Sequence, residues 1–151
     1  KNAGDFWIDS TSTEGINTKK VYSIKEAEIV SPGATIGEFF IKLLNAATNG
    51  HILHLQTKSY AEHKALQGYY EGLPDAVDTI IEQYQGAYGT IITYPVSYEG
   101  PKATPLEEVT YIRDYIVANR EVVGPYTSLQ NEVDALLSLV ETTLYKLTFL
   151  K

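Results

Sequence analysis

Four times along this chain a Ser or Thr is followed three positions later by Glu or Gln, just ahead of an apolar period near 3.6. The pairs are Thr35/Glu38, Ser59/Glu62, Thr104/Glu107 and Thr127/Gln130. In such a capping box each side chain bonds the other residue's backbone N–H, which satisfies donors that a helix start leaves orphaned. Pro105 follows the third cap at the first helical position, where a missing N–H costs nothing. One box alone is a weak signal. Four, each opening an apolar stripe, predict four helices.

The first helix is expected over about 36–56, with the stripe Ile36, Phe40, Leu43, Leu44 and Ala47 continuing through His51 and His54. Asn49-Gly50 is a possible stop, but the stripe keeps phase beyond it. The second helix is expected over about 60–86, with Tyr60, His63, Gln67, Tyr70, Val77, Ile81 and Tyr84 inward and a kink at Pro74. The third (about 105–120) presents Leu106, Val109, Ile112 and Ile116. The fourth (about 127–149) presents Val133, Leu136, Leu137, Val140, Leu144 and Leu147. The first and last links are short and the middle one is long enough to cross the molecule. Two tight hairpins joined by a long crossover describe an all-α, antiparallel, ferritin-like four-helix bundle over residues 34–151.

Residues 1–33 differ in kind. They are rich in Ser, Thr, Gly, Asp and Asn, hold the single Trp (Trp7), and alternate partly in period two from Lys20 to Val30 before Ser31-Pro32-Gly33. They are expected to form an extended N-terminal arm, either packed along the domain or reaching another subunit. The sequence opens on Lys1 and has no methionine, which points to a processed precursor or a chosen boundary.

Composition narrows the function. With 151 residues and 44% apolar content, one core is expected. No apolar run is long enough to span a membrane. The net charge of −7 and pI near 4.9 disfavour direct nucleic-acid binding and anionic lipid. There is no cysteine, so thiol chemistry is excluded.

All three histidines, His51, His54 and His63, lie within thirteen residues, and Asp78 and Glu82 follow four apart on the second helix. Imidazole and carboxylate together suit Fe, Mn or Zn. The alternative is a bundle histidine hydrogen-bonded to a carboxylate or carbonyl. The Glu-x-x-His pattern of an intra-bundle di-iron centre is absent. Of the twelve tyrosines, Tyr69, Tyr70, Tyr88 and Tyr94, together with Trp7, are candidates for a subunit interface.

The segment His54-Leu-Gln-Thr-Lys, Tyr60, His63 and Asp78-Thr-Ile-Ile-Glu82 resembles the iron-site signature of the mini-ferritins known as Dps. That resemblance implies an iron site shared between two subunits, with histidines from one and the acid pair from its partner. The sequence departs from the family where Gln67 replaces an Asp, and in the nine-residue spacing of His54 and His63. HLQTKSYAEHKAL, EQYQGAYG and ETTLYKL are similar to small ferritin-like, Dps-related proteins of tailed bacteriophages, over about residues 36–150. From these features a structural or assembly protein is expected, forming homo-oligomers or contacting other structural proteins through the arm, in a virion or the cytoplasm. A Dps-like iron-binding cage with weak or no ferroxidase activity is the alternative.

Overall fold

A computed structural model describes residues 33–151. The arm expected over 1–33, and with it Trp7, lies outside the described residues apart from Gly33. Four α-helices follow in order, α1 (Ile36–Gln56), α2 (Tyr60–Tyr88), α3 (Pro105–Asn119) and α4 (Thr127–Phe149), with a short 3-10 turn at Arg120–Val123 between the last two. No strand occurs among the described residues. α1 packs on α2 and α3, and α4 packs on the same two.

The helix starts lie where the caps place them, but only one box closes on both sides. Thr35 Oγ1 accepts from the N–H of Glu38, and the Glu38 carboxylate accepts from the N–H of Thr35. Ser59 and Thr104 cap α2 and α3 in the same way, accepting from Glu62 and Glu107. The Glu62 carboxylate turns back instead to the hydroxyl of Thr57 in the interhelix link. The expected fourth box does not form, because Thr127 is already inside α4 and Tyr126 holds the cap position without a side-chain bond. Gln130 is drawn away from the backbone by the turn before it. Its amide donates to the carbonyl of Gly124 at 2.9 Å, and its oxygen accepts from Arg120 at 3.3 Å. Arg120 in turn grips both carboxylate oxygens of Asp134, at 2.7 and 2.8 Å.

The core is one cluster drawn from all four helices. On α1 the buried line is Phe39, Phe40, Leu43, Ala46, Gly50 and Leu53, which is rotated by about one residue from the expected stripe. On α2 the buried residues are Ala65, Leu66, Tyr69, Leu73, Val77 and Ile80. Tyr60, expected inward, is three-quarters exposed. Tyr69, expected at a subunit interface, is fully buried in this core. Its ring packs against Gly50, where an added Cβ would sit 2.8 Å from the ring edge. Small size at Gly50 therefore admits the largest core side chain, and Asn49-Gly50 does not end the helix. α2 runs unbroken through Pro74, which lies on an exposed face. Leu106, expected inward on α3, is exposed, and Tyr115 takes its share of the core.

The α2–α3 connection, residues 89–104, has no regular structure, yet it is tied down along its length. Ile92 N–H donates to the side chain of Gln85 at 3.0 Å, and the carbonyls of Ser97 and Glu99 accept from Asn45 and Asn49 at 3.2 and 2.9 Å. At its start the backbone of Thr93 lies directly on Gly37, where there is no room for a Cβ. This connection is a strap laid along α1, and the absent side chain at Gly37 is what lets it lie flat.

Gly→Ala within a helix ordinarily stabilises by about 1 kcal/mol. Gly68→Ala, with open space around its Cβ, should follow that rule. Gly37→Ala should instead destabilise by about 1–3 kcal/mol, because helix or strap must move. Urea unfolding of both variants would check the opposite signs.

Candidate functional site

The histidines close the α1–α2 hairpin. His54 lies in the last turn of α1 and His63 in the first turn of α2, joined by the three residues 57–59. Their rings stack with centroids 3.7 Å apart. Each Nδ1 meets the other residue's backbone carbonyl, His54 at 2.8 Å and His63 at 3.1 Å. A carbonyl acceptor requires Nδ1 to carry the proton, so both rings hold the same tautomer, with Nε2 as the basic nitrogen. The arrangement has a local cause. The last carbonyls of a helix have no intrahelical donor, and the His63 imidazole supplies one to His54.

His51, expected on the inner face with His54, is exposed and lies flat against Tyr70, centroids 4.1 Å apart. Asp78 and Glu82 are exposed on α2. They begin fifteen residues beyond His63, roughly 22 Å along the helix. Among the described residues no group of three or more His, Asp or Glu converges as a metal site. Within one chain the five candidate ligands therefore do not meet, and a centre using all five would need the acids of a second copy. Tyr88 and Tyr94, candidate interface residues, are each 38% exposed. The Tyr88 hydroxyl donates to the carbonyl of Val123 at 2.8 Å and fills the space beside Gly124, whose φ of +85° and lack of Cβ the contact requires. Tyr94 lies near Asp78, and its phenol is raised by burial and by that carboxylate.

A second, unexpected constellation lies beneath the strap. A cleft of about 450 Å³ opens between α1, α3 and residues 95–102. Lys42 reaches from α1 and donates to Glu99 on the strap and to the Tyr111 hydroxyl at 2.9 Å. Lys102 approaches Glu99 from the other side at 3.9 Å, its ammonium 4.1 Å from the Tyr111 ring centroid. One exposed carboxylate thus bridges two ammonium groups beside an aromatic face. Burial pulls Lys42 down, but the bonds to Glu99 and Tyr111 outweigh it and raise the group to about 12. The bond from Lys42 holds Glu99 below the usual carboxylate range.

Under this pair the cleft floor is polar. Glu108 is 2% exposed and accepts from the N–H of Lys102 at 2.9 Å. Asn49 is buried, donates to the carbonyl of Glu99, and accepts from the Tyr98 hydroxyl at 2.6 Å. The Tyr69 hydroxyl, close enough to feel the charge of Glu108, has no hydrogen-bond partner among the described residues. Desolvation raises Glu108 above its ordinary value, against the lowering effect of the Lys102 N–H. The sequence carried a signal for this floor. Glu108 and Asn49 fall in phase with the buried residues of their helices, an acid and an amide at positions where an apolar residue is the rule.

Comparison with known proteins rests on this same region. A model of DUF5856, described as a family of unknown function, matches residues 54–147. The chain belongs to DUF5856. The DUF5856 match begins at His54, so it takes in the histidine clasp, the strap, the Glu99–Lys102 part of the cleft, α3 and nearly all of α4. An uncharacterized 14.6 kDa protein of the mobD-ri intergenic region of Enterobacteria phage T4 is 38% identical over 68 residues, which are 45% of this chain and 44% of that protein. The chain thus spans less than half the length of that curated relative. No solved structure matches. Among the described residues no helix is long and apolar enough to cross a membrane.

Two outcomes follow for the site. His63→Ala removes one member of the clasp and should destabilise by about 1–3 kcal/mol in denaturant unfolding. Glu108 is raised in the folded state, so the stability of its protonated form is fully present below the unfolded carboxylate pKa and is lost as pH rises through the folded one. Glu108→Gln, which cannot ionise, should therefore gain on wild type between about pH 4 and pH 7. Thermal melts of both proteins at those two pH values would read the difference.

Proposed function

We propose that the chain is a structural or assembly protein, belonging to a phage particle or its assembly, built on a ferritin-like antiparallel bundle. The observation that carries this reading is the strap. Its backbone is pinned to α1 at three places, yet Ile91 and Val96 project outward from it, and Val96 is fully exposed. Exposed apolar side chains on an ordered segment make a preformed contact surface, since little ordering entropy remains to be lost on docking. Similarity to a phage T4 protein supports a phage setting.

Several features support the finer topology. A three-residue link joins α1 to α2, which favours antiparallel neighbours. The helix neighbours are α1–α2, α2–α4, α4–α3 and α3–α1. The strap meets α1 at Gly37, then Asn45, then Asn49, and so travels along the bundle before α3 begins, as a long crossover does.

The reading predicts self-association through the strap. Light scattering in line with a sizing column should give assemblies for wild type and the 16.8 kDa monomer for the Ile91→Asp/Val96→Asp double variant. A wild-type monomer would count against the strap as a contact between copies. A closed, iron-loaded oligomer indifferent to these substitutions would favour the mini-ferritin reading.

A further inference from the structure

We propose that the surface meeting the strap, on the reading of the strap as a contact between copies, is the histidine-clasp end of a second copy, docked head to tail.

The clasp end is apolar and basic. Leu55 is 69% exposed, Tyr60 75% and Phe149 69%. Leu55 and Tyr60 bracket the link between α1 and α2. α2 meets α4 at Gly72 against Leu139, and the Tyr88 hydroxyl reaches Val123 just ahead of α4. Numbers therefore rise along one helix as they fall along the other, and the last turn of α4, with Phe149, comes to the same end. Lys58, Lys64 and Lys146 gather here too. Lys42, Lys102, Arg113 and Arg120 each pair with a carboxylate, whereas these three pair with none among the described residues. A chain of net charge −7 thus holds unpaired ammonium groups at one end, beside exposed rings.

The strap side is the complement. Ile91 and Val96 supply apolar area, and Tyr94 on the same strap lies near Asp78. Asp78 belongs to a row of exposed acids on α2, Glu71, Asp75, Asp78 and Glu82, spaced four, three and four apart. No base occurs on α2 after Lys64. Apolar side chains flanked by lysines on one copy therefore find apolar side chains flanked by acids on the next, the pattern that steers and orients an encounter.

The same row of acids decides the symmetry. Lys64 and Asp78 are fourteen residues apart on α2, roughly 21 Å. A two-fold axis exchanging them would pass between them and set Glu71 and Asp75 of the two copies against each other, like charge on like charge. A head-to-tail contact avoids this clash and propagates into a ring or an open polymer.

Lys58→Glu/Lys64→Glu reverses the clasp end, and Asp78→Lys/Glu82→Lys reverses the acceptor, all at exposed positions. By light scattering in line with a sizing column, each full-chain variant should stay monomeric at concentrations at least roughly tenfold above those at which wild type assembles. An equimolar mixture of the two should recover species larger than a dimer, because each copy then offers a surface that the other can take. Raising salt from about 0.05 M to about 0.5 M should weaken wild-type assembly by a similar factor, with no substitution made. Wild-type assembly that neither reversal nor salt weakens would overturn the pairing and leave the strap in contact with another surface of its copy. A mixture that stays monomeric would overturn it as well, and one that stops at dimers would overturn the head-to-tail order. A wild type that is monomeric throughout would overturn both this pairing and the strap as a contact between copies.

Discussion

Everything on one side of this molecule depends on a backbone lying against a backbone. Residues 89–104 form no helix or strand, so their N–H and C=O groups need partners from elsewhere if the segment is to stay ordered. α1 and α2 supply them through Asn45, Asn49 and Gln85, and α3 supplies the Glu108 carboxylate. The strap could not lie this close if Gly37 carried a side chain, because the carbonyl of Thr93 occupies that place. The cleft, its lysine pair and the outward apolar residues are all consequences of where the strap lies.

The strap also explains why two polar groups are buried beneath it. Glu108 and Asn49 are inside because each holds a piece of strap backbone, and a buried polar group is tolerable when it is hydrogen-bonded. The low dielectric that raises Glu108 also makes those bonds stronger than they would be in water. Tyr69 is the exception. Its ring fills the space left by Gly50, and its hydroxyl ends near Glu108 without a partner among the described residues. The packing of a large ring outweighs one poorly satisfied hydroxyl, whose cost is about 1–3 kcal/mol.

Histidine spacing had two readings, and the folded hairpin selects a chemical role that spacing could not distinguish. A spacing of nine positions from His54 to His63 is what faces the two rings across a three-residue link. Once there, each Nδ1 finds a carbonyl at the meeting of two helix ends. His51 is only three residues from His54, yet it belongs to the outside of the helix. The acids Asp78 and Glu82 lie far along α2 and are separate from this hairpin.

What the sequence determined by itself was local. The number of helices, their starts within a residue, and the length of the strap follow from caps, apolar periods and the gaps between them, because a cap bond spans only three residues. Rotation of each helix was not local. The stripe on α1 could be read through Phe40 and Ala47 or through Phe39, Phe40 and Ala46, and only contact with Tyr69, Tyr115 and the strap selects the second. The loss of the fourth capping box has the same origin, since Gln130 is recruited by Arg120 and the Gly124 turn across sequence distances that no local pattern encodes. The Lys42, Glu99, Lys102 and Glu108 cluster draws on three separate segments, and tertiary structure alone brought them together.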